Sequence, residues 1–354
     1  TNSYHGSAIG FFTNAGMTSK DIFVEQQGRA KPDTQNMRYG ATLGGPIVRD
    51  KMHYFVSYEK QDRDEGRSYS YPTRPDMSFS TVQVTRMQNL MGRVDHQLNA
   101  NNTYSVRFLW DHQPTLNQPL GNPTIDTLSQ DKDNDWTLVG NYNRLFGSTK
   151  LFNTRLALVH EKPVRGQALY QETGDWTLAP PSLVFQSFTA QADINRADFR
   201  DMNSYGLDTT FSWFLNGTRG GTHDLKFGSQ YVYGEHFEEF QRFMNGAFRF
   251  FSDRAFNAAD PFSYPERLEI RVPSKGEWLS LTHSLGLYVQ DKWQLSPRFT
   301  LNLGLRYDIH ISPLRWDYNP LFSEPDAYPL DTNNIAPRVG FAYTPTPTSV
   351  IRGG

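Results

Sequence analysis

The chain has 354 residues, 37% of them hydrophobic and 14% aromatic, with 35 Lys and Arg against 37 Asp and Glu for a formal net charge of −2. That balance offers no basic surplus, so nucleic acid is not an expected partner. Cysteine is absent, which excludes disulfides and thiolate metal sites, and no run approaches the ~18 consecutive apolar residues of a membrane helix, which excludes helical spans but not strands.

Candidate strands recur along the whole chain, whereas convincing helix patterns do not. The patterning predicts strands over Tyr4 to Phe12, then Met37 to Val48 and Met52 to Gln61 around the polar turn 49–51. Asn89 to Leu98 and Thr103 to Asp111 flank the turn-forming cluster 99–102. Asp135 to Leu145 and Leu151 to Lys162 flank 146–150, and Asn203 to Leu215 and His223 to Phe237 flank 216–222. Tyr205, Leu207, Phe211, Trp213 and Leu215 share one face.

The clearest pair follows, from His283 to Leu295 and from Phe299 to His310 around Ser296-Pro297-Arg298. Leu285, Leu287, Val289, Leu301, Leu303 and Leu305 fall on one alternation, and Gln290, Lys292, Asn302, Arg306 and Asp308 on the other. A face that carries Lys, Arg and Asp must look into water. The apolar face then meets either a protein core or lipid, and length separates the two: a soluble strand runs to about 5–6 residues, a tilted transmembrane strand to about 9–11. Alternation here holds for about a dozen, with Trp293, Phe299 and Tyr307 near the strand ends as in interfacial aromatic girdles. A mean hydropathy of −0.62 is compatible with this, because a watery lumen and polar loops mask lipid-facing residues that come singly.

Ile335 to Tyr343 and Ser349 onward, around 344–348, complete about twelve to fourteen strands. The chain begins at Thr1 and stops inside that last run, so it reads as one incomplete barrel domain, 1–354, from a longer polypeptide. Connections alternate in length. The short turns at 49–51, 99–102, 146–150, 216–222, 296–298 and 344–348 contrast with long polar stretches at 62–88, 112–134, 163–202, 238–281 and 311–334. Sorting of this kind predicts an antiparallel transmembrane β-barrel with periplasmic turns and extracellular loops.

Residues 288–308, Tyr-Val-Gln-Asp-Lys-Trp-Gln-Leu-Ser-Pro-Arg-Phe-Thr-Leu-Asn-Leu-Gly-Leu-Arg-Tyr-Asp, closely resemble the barrel hairpin of TonB-dependent outer-membrane transporters. Residues 40–59, Gly-Ala-Thr-Leu-Gly-Gly-Pro-Ile-Val-Arg-Asp-Lys-Met-His-Tyr-Phe-Val-Ser-Tyr-Glu, resemble the early barrel of the Oar-like branch, whose members carry a carboxypeptidase-regulatory-like domain. Thr1 to Ser7 resembles the plug–barrel junction, and 335–343 with 350–354 a mid-barrel hairpin. The resemblance implies a barrel of about 22 strands around an N-terminal plug, with plug and final strands absent from this sequence. It further implies the outer membrane of a Gram-negative bacterium, contact with outer-membrane lipid, capture of a scarce extracellular ligand by the loops, and plug rearrangement driven through the TonB–ExbB–ExbD system.

No catalytic constellation is legible, and neither an enzyme activity nor a cofactor is expected: HExxH, GxSxG and GxxxxGK[ST] are all missing. Asp131, Asp133 and Asp135 have the alternation of a calcium loop, but Trp136 stands at the sixth position and Tyr142 at the twelfth, so a solvated acidic loop is expected instead. His236 with Glu235, Glu238 and Glu239 reads equally as a set of metal ligands and as a strand running out into a charged loop.

The candidate binding residues lie in the two longest loops, 163–202 and 238–281: Trp176, Phe240, Arg242, Phe243, Phe248, Arg249, Phe251 and Arg254. Aromatic and Arg side chains dominate binding hot spots, yet the same rings could form a small core that keeps the loops folded. The expected facing is lipid for Leu285, Leu287, Val289, Leu301, Leu303 and Leu305, and lumen or plug for Gln290, Lys292, Asn302, Arg306 and Asp308. The competing functional reading is a structural or adhesive barrel whose loops bind partner proteins.

Overall fold

The computed structural model describes all residues except 1, 21, 27, 29, 168–179, 194, 219, 244, 273–274 and 312–329. In chain order it consists of β1 (His5–Asn14), a short helix α1 (Ile22–Gln26), β2 (Gln35–Val48), β3 (Met52–Tyr69), β4 (Phe79–Asn99), β5 (Asn102–His112), β6 (Thr115–Gln118) and β7 (Ser129–Lys132). There follow β8 (Asn134–Phe146), β9 (Lys150–Glu161), β10 (Val164–Gln167), β11 (Ser182–Val184), β12 (Thr189–Ala190), β13 (Asn195–Thr218) and β14 (Gly221–Arg242). The chain continues through β15 (Ala247–Phe250), β16 (Pro265–Glu269), β17 (Lys275–Ser296), β18 (Phe299–Ile311), β19 (Ile335–Thr346) and β20 (Ser349–Gly353).

Thirteen of these strands make one continuous path, β1-β2-β3-β4-β5-β8-β9-β13-β14-β17-β18-β19-β20, antiparallel throughout. In an antiparallel meander, every second connection returns to the same rim. The six short turns are every second connection, so they share one rim, as their lengths predict. Local chemistry closes them: Asp50, at φ 63, sits in the left-handed region that Asp tolerates, and Gly147 does the same at φ 64.

Register carries one apolar face across the sheet. Leu43 pairs with Val56, Tyr54 with Val94, Leu90 with Trp110, Phe108 with Leu138 and Leu158 with Tyr205. Phe211 then pairs with Phe227, Phe227 with Val289, Val289 with Leu305 and Leu303 with Val339. The opposite face is polar: Lys292 pairs with Asn302, and Arg306 and Asp308 form an ion pair at 2.7 Å. On this polar face Tyr288 lies across Gly228 to place its hydroxyl 2.9 Å from that of Thr210. A Cβ on Gly228 would stand 2.1 Å from the Tyr288 ring, so only glycine permits the crossing. One apolar and one polar face, on antiparallel strands of this length, make the wall of an outer-membrane β-barrel.

Several strands overshoot the membrane, which corrects the loop boundaries. β13 has 24 residues, β14 and β17 have 22 each, and β4 has 21. At about 3.3 Å per residue and ~40° of tilt, 24 residues rise roughly 60 Å, about twice the hydrocarbon thickness. Most of the stretch read as loop at 62–88 is therefore strand, with only 70–78 connecting β3 to β4. Likewise β13 begins at Asn195, β14 continues to Arg242 and β17 begins at Lys275. The physical reason is that a wall standing above the membrane is wet on both faces, so its strands need no apolar alternation. β5, β8 and β9 stop short, and β6-β7-β10 bridges the gap above them, pairing with β4 on one side and β13 on the other.

Candidate functional site

On the long-loop rim, four successive connections fold together into a cap. Its frame is a second sheet in the order β12-β11-β15-β16, in which β11 pairs parallel with β15 across two different loops. Its core is Tyr71, Phe188 and Ala190, with Tyr69, Met77, Leu183 and Phe185 packed around them. Phe185 stacks on Phe188 at 4.7 Å and on Phe250 at 4.5 Å between ring centroids. The Tyr71 hydroxyl donates to the Pro123 carbonyl, so its ring is buried while its polar end is satisfied. Burial pushes that hydroxyl's pKa up to about 12.

The connection at 113–133 joins through backbone hydrogen bonds, Thr124 N–H to the Thr189 carbonyl at 3.0 Å and Thr189 N–H to the Asn122 carbonyl at 2.9 Å. Asp253, buried in the loop after β15, ties three connections: its carboxylate accepts from the Thr73 hydroxyl and from the Ser187 N–H at 2.9 Å. Burial opposes ionisation there, but hydrogen bonds from Ser187 and Thr73 prevail and hold the carboxyl below its usual value. Arg74 donates to the Asp253 carbonyl at 3.2 Å and spans the Phe185 and Phe188 rings at 5.9 and 5.8 Å.

The predicted binding residues divide between this scaffold and its surface. Phe240 is 8% exposed at the end of β14, beneath Arg271 at 4.1 Å and Arg242 at 5.3 Å. Phe243 lies in the turn that reverses the chain into β15, at φ 54, and Phe248 is half-buried within β15. Arg249 is paired with Glu269 at 2.6 Å. These five, Phe240, Arg242, Phe243, Phe248 and Arg249, therefore belong to the scaffold where β14 passes into the cap. Phe251 is 71% exposed, and Arg254 is exposed beside Asp260 at 3.2 Å. Phe256 and Phe262 join Phe251 on the surface, 64% and 78% exposed. Trp176 lies outside the described residues.

The acidic run at 131–135 is not the solvated loop expected. Asp131 is nearly buried and receives a two-pronged bond from Arg165, both contacts at 2.9 Å. Asp135 accepts the Lys162 N–H at 2.8 Å. Burial, reinforced by Asp135 and Asp131, raises the Asp133 carboxyl. Arg165 answers the charge of Asp131, and among the described residues no group of His, Asp and Glu is arranged to hold a metal. His236 and Glu238 share the polar face of β14 at 3.9 Å, whereas Glu235 and Glu239 alternate to the other.

Leu285, Leu287, Val289, Leu301, Leu303 and Leu305 all lie on the apolar face, and Gln290, Lys292, Asn302, Arg306 and Asp308 on the polar one. A departure from the simple pattern is Asp291, which sits on the apolar face and accepts from His223 at 2.7 Å, while His223 stacks on Trp293 at 5.2 Å.

The sequence profile of the family described as Outer membrane beta barrel domain matches residues 1–81 and 72–354. The TonB-dependent transporter Oar of Myxococcus xanthus is 21% identical, with the match covering 87% of this chain and 37% of that protein. Among solved structures, the outer membrane transporter YddB from Escherichia coli superposes with a TM-score of 0.58 at 12% identity, covering 96% of this chain and 41% of that one. The ferripyoverdine receptor of Pseudomonas aeruginosa superposes with a TM-score of 0.59 at 11% identity, covering 97% and 40%. At such identities the superpositions show a shared fold. The chain thus spans less than half the length of these relatives.

Proposed function

We propose, from the fact that the chain belongs to the outer membrane beta barrel domain family, that it serves TonB-dependent uptake of an extracellular ligand captured by its cap. The carrying observation is the cap itself. Four long connections are tied together around a buried core of Tyr71 and Phe188 on the rim opposite the short turns, above a wall with one polar face. A rigid, pre-formed rim limits the ordering cost of capture. The exposed rings of Phe251, Phe256 and Phe262 supply contact area above it. In this reading Leu285, Leu287, Val289, Leu301, Leu303 and Leu305 contact outer-membrane lipid. Gln290, Lys292, Asn302, Arg306 and Asp308 face the lumen.

Similarity to a TonB-dependent transporter and to a ferripyoverdine receptor favours transport over catalysis and over a purely adhesive role. The test is accumulation of labelled ferric siderophores, oligosaccharides and peptides by intact cells, in matched strains with and without TonB. One class should accumulate only when both the protein and TonB are present. Binding of a probe without TonB-dependent accumulation of any would overturn the reading in favour of a surface binder.

A further inference from the structure

Near the short-turn rim, the apolar face carries two cations with nothing acidic beside them. Arg144 lies two residues from the end of β8, and its guanidinium stands 4.6 Å over the Phe146 ring. Lys150 opens β9, pairs with both Phe146 and Trp213 in the ladder, and holds its ammonium 4.8 Å over the Trp213 ring. Their alternation places both on the face of Leu138, Leu156 and Leu158. Neither has a carboxylate within ion-pair distance among the described residues. The nearest acid along this row, Asp291, is three strands away from Lys150, roughly 14 Å at the usual strand spacing, and it is already engaged by His223.

The same face treats cations differently at the other rim. There Lys60 meets Asp62 at 3.3 Å, Arg86 meets Asp64 at 2.6 Å, and Lys162 meets Asp201 at 3.7 Å. Neutralisation is thus the rule above the membrane. Below it, two positive charges stand uncompensated at the level where a membrane places its phosphates, directly beneath leucines that would receive acyl chains.

We propose that Arg144 and Lys150 form a binding site for the phosphate of an anionic glycerophospholipid in the periplasmic leaflet, with Phe146 and Trp213 as the platform that positions the two cations. The site rests on the reading that the apolar face meets lipid. Its chemistry is specific in two ways: a phosphate diester accepts from the guanidinium and the ammonium together, and the double positive charge prefers a lipid with net negative charge over a zwitterionic one.

The experiment uses native mass spectrometry of the protein released from mixed bilayers of phosphatidylglycerol and phosphatidylethanolamine. Wild type should retain phosphatidylglycerol preferentially. Arg144→Gln or Lys150→Gln should each weaken that preference about five-fold and the double variant about thirty-fold. Arg144→Lys should keep most of it, and Lys60→Gln at the opposite rim should leave it unchanged. An unaltered preference in the double variant overturns the proposal. So does displacement of the lipid by inorganic phosphate, which would make this a site for the free anion. Because the chain has no cysteine, a fluorophore on Leu156→Cys in each variant, quenched by brominated acyl chains, reports separately on facing. Quenching with no change in lipid preference removes the site but leaves the facing intact, whereas absent quenching removes both.

Discussion

The rings of Tyr71 and Phe188 meet with their centroids 5.0 Å apart at an interplanar angle of 49°. Through this contact the connection after β3 is held to the one after β10, and the cap acquires a core of its own. Phe188 is 2% exposed, so truncating it leaves a void that neighbours on short strands can only partly fill. Phe188→Ala should cost about 3–5 kcal/mol of cap stability. Because the cap has a core and a sheet of its own, the loss should appear as local unfolding. Hydrogen exchange checks this: amides of β11, β12 and β15 should lose protection while β13 and β14 keep theirs. Uniform loss over both sheets would show that cap and barrel unfold as one unit.

Asp253 makes the same cap sensitive to acid. Its folded carboxyl lies below the unfolded value of 3.8, and Glu269 is likewise lowered by hydrogen bonds from Arg249 and Arg267. For a depressed carboxyl, the stabilisation is complete above the unfolded value and is lost as pH falls through the folded one. The cap should therefore hold its full stability at neutral pH and down to about pH 5, then loosen progressively as pH falls further. Amide exchange at Ser187, measured against pH, reads the effect directly. Asp253→Asn should loosen the cap at neutral pH and flatten the profile; a profile unchanged by the substitution would remove Asp253 from its cause.

The lipid-facing reading makes a sharper demand at mid-strand. Leu303 is directly opposite Asp291 in the ladder, so an Arg placed there would find a carboxylate. Leu305 is opposite Val289 and Pro337 and offers no such relief. Leu305→Arg should destabilise the barrel by about 2–4 kcal/mol, seen as reduced assembly in the outer membrane. Gly304, its neighbour on the polar face, should accept Gln at far smaller cost. Equal assembly of the two variants would contradict the assigned facing.

Where a strand separates two solvents, its alternation is forced and therefore readable, as in Leu301, Leu303 and Leu305 against Asn302, Arg306 and Asp308. The six turns were readable for the same reason, since each ends such a strand. Above the membrane the constraint lapses. Asp62, Arg63, Asp64 and Glu65 continue β3 as a wall wet on both sides, and no periodicity separates them from a loop. The cap was less legible still. Tyr71, Phe188 and Asp253 carry no spacing signal, because residues from different connections assemble a core that exists only in three dimensions. The aromatic loop at 238–264 showed that rings would matter, but not that Phe240 and Phe248 would serve the scaffold while Phe251 stayed outside.

The division within that loop gives the most direct functional test. Phe251, Phe256 and Phe262 are 71%, 64% and 78% exposed, so replacing them with Ser removes little packing. Surface changes of this kind usually alter stability by no more than about 0.5 kcal/mol, and the hydrogen bonds that fold the segment, from Phe262 N–H to Asp260 and from Asn257 N–H to Ser263, use none of the three rings. Phe256 packs on Tyr264 at 5.5 Å between centroids, yet all three rings stay mostly exposed, and exposed aromatic surface of this kind is the signature of a contact site. The triple variant should therefore keep cap protection in hydrogen exchange and lose at least ten-fold in probe accumulation or surface binding. Removing the whole stretch 240–262 is the cruder experiment, since it takes away the end of β14 and all of β15 with the rings. If the triple variant accumulates and binds every probe as wild type does, the capture surface lies elsewhere on the rim.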